Sequence, residues 1–168
     1  MRRLRGRLPR LADQGRGHVL AVDTDALAVD RMYRDLRGDT TNILPIIGNV
    51  TDPSPGLGWR GAERLPLADR GRPDLTLCLA LLHHVVIDGN VPLDDFVDWI
   101  AALGGDVVVE FVTKADPMAR RLLRHKDDQY SDYDQTLFEA RLGVHYEVAA
   151  RQTLHDGTRV LYHGVRRR

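Results

Sequence analysis

The sequence predicts an α/β protein whose mainly parallel sheet ends in an antiparallel β-hairpin. Apolar, strand-like runs alternate with helix-like stretches, the order typical of parallel strands joined by helical crossovers. Residues 74–81 and 106–112 are nearly continuous apolar runs, as in strands that are covered on both faces. The last two strand-like segments are separated by a short turn near Asp156-Gly157, a dipeptide typical of β-hairpins. These three observations define the fold class.

The strands are predicted from short runs of apolar and β-branched residues bounded by turn residues. Pro45 makes the second of these strands short or bent. The final two runs alternate in polarity and form the hairpin. In order, the predicted strands are residues 18–23, 43–47, 74–81, 106–112, 146–153 and 159–165.

The helices are predicted from apolar residues at helical spacing and from residues that start or stop helices. Pro92 and Asp116-Pro117 suit helix starts, whereas Gly38, Gly104 and Gly143 suit helix ends. Pro66 limits the regularity of one helix. In order, the predicted helices are residues 25–36, 62–70, 92–103, 116–123 and 134–142.

One glycine-rich segment matches a nucleotide-binding pattern by its letters alone. Residues 56–61 read Gly-Leu-Gly-Trp-Arg-Gly, which satisfies G-x-G-x-x-G. That fingerprint acts at a tight turn between a strand and a helix, and here a proline-bearing loop precedes the first glycine. We therefore interpret residues 49–61 as a loop.

Asp23 is the most informative residue of the chain. It closes the first apolar run, and Thr24 and Asp25 follow as a helix start. A carboxylate at the end of a strand in an α/β sheet is placed to accept hydrogen bonds from the hydroxyls of a ribose. The residues alone thus indicate a nucleotide site at this end of the sheet.

Several motifs, taken with the strand order, resemble class I methyltransferases that use S-adenosylmethionine. They are most similar to the branch described as nodulation-protein-like methyltransferases. The motifs are the loop at 52–59, the turn Leu82-His83-His84, the helix start at 90–93, the strand core at 109–112, and Asp132-Tyr133 followed by Phe138-Glu139. The resemblance implies a Rossmann-like sheet of seven strands, of which the second to the seventh are placed over residues 18–165.

The resemblance also implies roles for individual residues. Asp23, with Thr24, would hold the ribose of S-adenosylmethionine. Asn49, with Val50, falls where the family usually has an Asp that contacts adenine, and the Asn oxygen could accept the same bond. Leu81 would line the cofactor cleft just after the fourth strand of the family. The methyl acceptor is not identified by any motif.

The family's first strand and its glycine-rich turn have no counterpart in the sequence. We expect residues 1–17 to form a basic N-terminal segment with the remnant of a helix, and residues 18–168 to form an incomplete, truncated or degenerate domain. Three explanations stay open: a misassigned gene start, a decayed relative, or a second copy or partner chain that completes the sheet. The last would make the chain a non-catalytic interaction domain with an exposed strand edge.

His83 and His84 are the best chemical candidates. They follow a buried strand, where ligand sites of open α/β sheets lie, and a neutral imidazole there could act as a general base. A purely structural histidine is the alternative. Glu110 lies within an apolar strand, where an unpaired carboxylate is costly, so we expect it to reach a partner such as His83 or His84. We count it with the two histidines as a catalytic candidate, and a structural ion pair is the alternative. No third His or Cys stands at metal-ligand spacing, so no metal site is predicted.

The composition of the chain limits its expected partners and its expected compartment. The 24 basic and 24 acidic residues balance, which argues against nucleic acid as a partner, although the arginines near both ends keep an RNA-associated protein as a third interpretation. One cysteine, Cys78, predicts a reduced, cytoplasmic compartment. No apolar run reaches the roughly 20 residues of a membrane span, so no membrane association is predicted.

Overall fold

A computed structural model of the 168-residue chain describes residues 17–38, 41–124, 126, 130–154 and 157–168. The predicted basic segment at residues 1–17 therefore lies outside the described residues except for Gly17. The chain divides into two compact units, Met1–Leu67 and Ala68–Arg168. Each unit is described by itself.

The first unit contains two parallel strands joined by a helix. Strand β1 (Val19–Asp23) pairs with β2 (Ile43–Ile47), and helix α1 (Ala26–Leu36) connects them. The helix begins where the sequence predicts because the Asp25 carboxylate accepts the N–H groups of Leu27 and Ala28 at 3.0 and 3.2 Å. These three elements agree with the sequence-based prediction.

The predicted helix at residues 62–70 is wrong. Only a single 3₁₀ turn, Leu67–Asp69, occurs there. Pro66 lacks an N–H and disfavours helical backbone at the residue before it. The N–H groups of Glu63 and Arg64 instead donate to the Leu57 carbonyl, at 3.1 and 3.0 Å, and so close a loop. The glycine-rich segment lies within this loop, as interpreted from the sequence.

The second unit is built on a mixed four-stranded sheet in the order β3-β4-β6-β5. Strands β3 and β4 are parallel, and the other neighbours are antiparallel. The strands are β3 (Leu75–Cys78), β4 (Asp106–Val112), β5 (Tyr146–Leu154) and β6 (Arg159–Arg166). The parallel pair followed by a terminal hairpin confirms the predicted fold class, although the described strands form two sheets.

Strand β3 is shorter and more exposed than the sequence predicts. The apolar run at 74–81 gives a strand of only four residues, and Leu75 and Leu77 are 47% and 41% exposed, whereas Cys78 is buried. One face of this strand is therefore open, and the expectation that both faces are covered is wrong.

Three helices pack in the second unit: α2 (Leu93–Leu103), α3 (Pro117–Leu123) and α4 (Gln135–His145). The predicted end of α4 at residue 142 is wrong, because Gly143 continues the helix and the Tyr146 N–H caps it on the Leu142 carbonyl. An apolar core forms beside β4. Its fully buried members include Leu82, Ile87, Phe96, Val97, Ile100, Val109, Phe111, Phe138, Leu142 and Tyr162.

Candidate functional site

The carboxyl ends of β1 and β2 bring together the predicted nucleotide-binding residues of the first unit. Asp23 lies opposite Ile47 in the parallel register, so Asn49 and Val50 follow just beyond the same edge. One carboxylate oxygen of Asp23 accepts the Asp25 N–H at 3.0 Å, which fixes the direction of the acid. Thr24 is exposed beside it. The arrangement has the form expected of a ribose-binding edge.

Asn49 makes a turn that the sequence did not predict. Its side-chain oxygen accepts the Thr51 N–H at 3.1 Å and the Thr51 hydroxyl at 2.8 Å. These two bonds use both lone pairs of the amide oxygen. The side-chain NH₂ is therefore the group of Asn49 that is suited to a ligand, rather than the oxygen that was expected to serve.

A tight turn follows β3 in the second unit. Ala80 has φ of +50°, a left-handed conformation that costs a non-glycine residue about 1–3 kcal/mol and occurs often at functional sites. The Leu81 carbonyl then accepts the N–H groups of His84 and Val85 at 2.9 and 3.1 Å. The turn thus places Leu81, His83 and His84 directly after the carboxyl end of a parallel strand.

His84 begins a π-helical turn. The segment His84–Asp88 is closed by the Gly89 N–H, which donates to the His84 carbonyl at 2.9 Å. Buried Val85, Val86 and Ile87 anchor this segment. Single π turns are rare and often mark functional sites. His84 is half-buried, unlike its buried neighbours His83 and Val85.

His83 has a different environment from His84. It is 1% exposed, its Nδ1 has no hydrogen-bond partner, and its ring centroid lies 4.3 Å from that of His84. Burial, followed by the nearby His84 and Arg159, lowers the pKa of His83 to about 4. His83 is therefore neutral at pH 7, and its burial makes it a poor proton acceptor for a substrate.

Glu110 does not pair with a histidine as the sequence suggested. Its Oε2 accepts the Ala80 N–H at 2.6 Å, and its Oε1 accepts Nη1 of Arg159 at 3.1 Å. The carboxylate is 7% exposed, and its two oxygens have different partners. Glu110 therefore holds the turn after β3 through the Ala80 N–H and pairs with Arg159, and a catalytic role for it stays a prediction.

Arg159 and Asp116 belong to the same buried cluster, and the sequence analysis missed their roles. Arg159 Nε donates to Asp116 Oδ2 at 2.7 Å, and Nη2 donates to Oδ1 at 3.3 Å. Burial raises the pKa of Asp116, but the hydrogen bonds from Arg159 and from the Met118 N–H outweigh burial and lower the pKa overall. The signal available in the sequence was the buried Glu110 itself, which requires a counter-charge.

The described residues form neither a metal site nor a membrane-spanning helix. Over the described ranges, no group of three or more His, Cys, Asp or Glu side chains is arranged to hold a metal ion. The same part of the chain contains no helix that is long and apolar enough to cross a membrane.

The chain is similar to one curated protein and to solved structures. No family profile matches it. Over 150 residues it is 31% identical to the nodulation protein NoeA of Rhizobium meliloti (strain 1021). That match covers 89% of this chain and 32% of NoeA, so the chain spans about a third of its relative. The resemblance to nodulation proteins is confirmed.

Two solved structures share the fold. The PH0226 protein from Pyrococcus horikoshii OT3 matches with a TM-score of 0.58 at 13% identity, over 94% of this chain and 75% of that one. The 16S rRNA methylase ArmA matches with a TM-score of 0.55 at 15% identity, over 96% of this chain and 70% of that one. At these identities the matches establish the fold alone, and they agree with the α/β fold class predicted from the sequence.

Proposed function

We propose that this chain, a homologue of NoeA with a methyltransferase fold, binds S-adenosylmethionine and takes part in methyl transfer. The observation that carries the proposal is the placement of Asp23 at the carboxyl end of β1, beside Asn49 at the end of β2. An acid held at that edge suits the two hydroxyls of a ribose. Thr24 and Val50 flank the same edge.

Within the first unit, each proposed contact has a physical reason. The Asp23 carboxylate is oriented by the Asp25 N–H and accepts from the ribose hydroxyls. The Asn49 side-chain NH₂ donates to an acceptor nitrogen of adenine, because its oxygen is used by Thr51. Val50 packs against the face of the base.

Within the second unit, we assign the proton acceptor to His84 and the shaping of the cofactor cleft to Leu81. His84 is half-buried and begins a fixed π turn, whereas buried His83 supports the turn as a neutral packing group. When bound, S-adenosylmethionine would supply a methyl group to an acceptor oxygen, nitrogen or carbon, and the electron pair of the broken carbon–sulfur bond would stay on sulfur as a neutral thioether. His84 takes the proton that the acceptor loses.

Calorimetric titration of the chain with S-adenosylhomocysteine tests the nucleotide site. A hydrogen bond to a charged group contributes about 1.5–3 kcal/mol, and 1.4 kcal/mol is tenfold in affinity, so Asp23→Ala should weaken binding at least tenfold. Asp30→Ala is the matched control, since Asp30 is an acid of the same unit that pairs with Arg34 at 2.8 Å on α1. No binding by the folded wild-type chain, or equal binding by Asp23→Ala, would refute the proposal.

A second candidate function is an interaction domain whose sheets are completed by another strand. Among the described residues, β1 pairs only with β2, and β3 only with β4. Leu20 and Leu77, on these two strands, are 52% and 41% exposed. Strands with one open edge and exposed apolar side chains favour pairing with a further strand, from a second copy or from another protein.

Sedimentation equilibrium distinguishes the two sources of that strand. Pairing between copies is supported if the wild type is a dimer that dissociates in Leu20→Lys and in Leu77→Lys. The control variant Leu137→Lys, on α4, should stay a dimer. A monomer that binds a strand-forming segment of a NoeA-type sequence supports a second protein as the source of the strand. A monomer that pairs neither with a second copy nor with such a segment would exclude the interaction domain.

The one thiol, Cys78, is buried and unpaired, which fits a reducing, cytoplasmic compartment.

A further inference from the structure

We propose that Arg159 is a positioning residue that, through Glu110, holds the turn carrying Leu81 and His84. What this turn does for a ligand rests on the proposed function. Whether Arg159 holds the turn is independent of that function and can be measured without any ligand.

Arg159 is placed to connect three parts of the second unit. It is the first residue of β6, lies opposite Val112 of β4, and is 6% exposed. Its guanidinium donates two hydrogen bonds to Asp116, which begins α3, and one to Glu110, at distances of 2.7–3.3 Å. A planar fork can satisfy two carboxylates at once, whereas a lysine ammonium cannot reproduce that geometry.

Glu110 links Arg159 to the turn by one hydrogen bond to each. While Oε1 is held by Arg159, Oε2 accepts the Ala80 N–H at 2.6 Å. Ala80 has the left-handed φ of +50°, a conformation that persists only where surrounding contacts fix it. The bond from its N–H to a charged oxygen is such a contact, and it is of the strong, charge-assisted kind.

The charges explain why one residue can control the turn. Two carboxylates and one guanidinium are buried together, so removing the guanidinium leaves two like charges without their counter-charge in a poorly solvated site, although each keeps a backbone N–H donor. Glu110 would then turn away from Asp116. The Ala80 N–H would lose its charged acceptor, and the turn that carries Leu81 and His84 would lose this contact with β4.

Amide hydrogen exchange followed by NMR tests this proposal. In the wild-type chain the Ala80 amide should exchange slowly and resonate downfield, as expected of a bond to a carboxylate. In Arg159→Met its exchange should rise at least tenfold more than that of the Val109 amide in β4, and its signal should move upfield. Arg159→Lys should restore part of the protection. Arg151→Met is the control, because Arg151 lies on the same hairpin but is exposed and pairs with Glu139 at 3.4 Å.

The outcomes separate positioning from general destabilisation. Equal changes at Ala80 and Val109 in Arg159→Met, or an unchanged Ala80 amide, would overturn the proposal. If Arg159→Met does not fold, Arg159→Lys and Glu110→Gln decide, and each must raise Ala80 exchange at least threefold relative to Val109. Titration of the same samples with S-adenosylhomocysteine tests the proposed function separately, since absence of binding leaves the exchange result intact.

Discussion

Replacing Asp116 with Asn should destabilise the second unit strongly, although it removes only a charge. Asp116 is 3% exposed and receives two hydrogen bonds from Arg159, at 2.7 and 3.3 Å. Breaking a buried ion pair costs about 3–5 kcal/mol because it leaves an uncompensated charge. Arg159 keeps its bond to Glu110 in the variant, and Asn can still accept the Met118 N–H at the start of α3. We therefore expect the lower end, about 3 kcal/mol.

Urea unfolding at pH 7, followed by circular dichroism, measures this loss. Asp94→Asn is the matched control, because Asp94 pairs with Arg141 on the surface, where both side chains are about half exposed. Surface pairs contribute about 0–1 kcal/mol, so the control should unfold almost as the wild type does. Equal midpoints for Asp116→Asn and Asp94→Asn would refute the argument that the buried cluster stabilises the fold.

The pH dependence of the difference in unfolding free energy between wild type and Asp116→Asn gives an independent test. The pKa of Asp116 is lower in the folded chain than its usual value near 4. The stability that this shift contributes is therefore complete above pH 4 and is lost as the pH falls through the folded pKa. The difference between wild type and Asp116→Asn should shrink on acidification below pH 4 and stay constant from pH 5 to 7.

Three other measurements test the core and the histidine. The pKa of His83 is lowered to about 4 by burial, so its ring signals should titrate near pH 4, and the stability that depends on neutral His83 should be lost as the pH falls from 6.5 to 4. Burial also raises the pKa of Cys78 to about 12, so iodoacetamide at pH 8 should label it only in urea. Phe138→Ala, which leaves a hole beside Phe111 and Tyr162, should cost about 3–5 kcal/mol in urea unfolding, and Leu137→Ala, 48% exposed, should cost far less.

The parts of the fold that local sequence signals control were predictable. Helix α1 starts at Asp25 because an aspartate cap needs only neighbouring N–H groups, and β4 occupies its predicted bounds because its apolar run is long. Tertiary packing decided the other cases. Gly143 stays helical because α4 is buried through Phe138 and Leu142, so packing outweighs the preference of glycine for a helix end.

Only the part of the candidate site that lies at strand ends was predictable from the sequence. Asp23 and Asn49 meet because parallel strands end at the same edge, which the element order already implies. The choice between His83 and His84 depends on burial, and nothing local distinguishes two adjacent histidines. Both histidines are candidates by sequence, whereas their different exposures favour His84 as the proton acceptor.

The partner of Glu110 shows what kind of sequence argument would have succeeded. A carboxylate within a buried strand must meet a counter-charge or hydrogen-bond donors, and the histidines after β3 were the expected partners. The antiparallel hairpin instead pairs Glu110 with Leu161 of β6, so the side chain two residues earlier on that strand lies within reach on the same face. That residue is Arg159. Strand register, rather than closeness in sequence to a chemical candidate, therefore identifies the group that neutralises the buried acid.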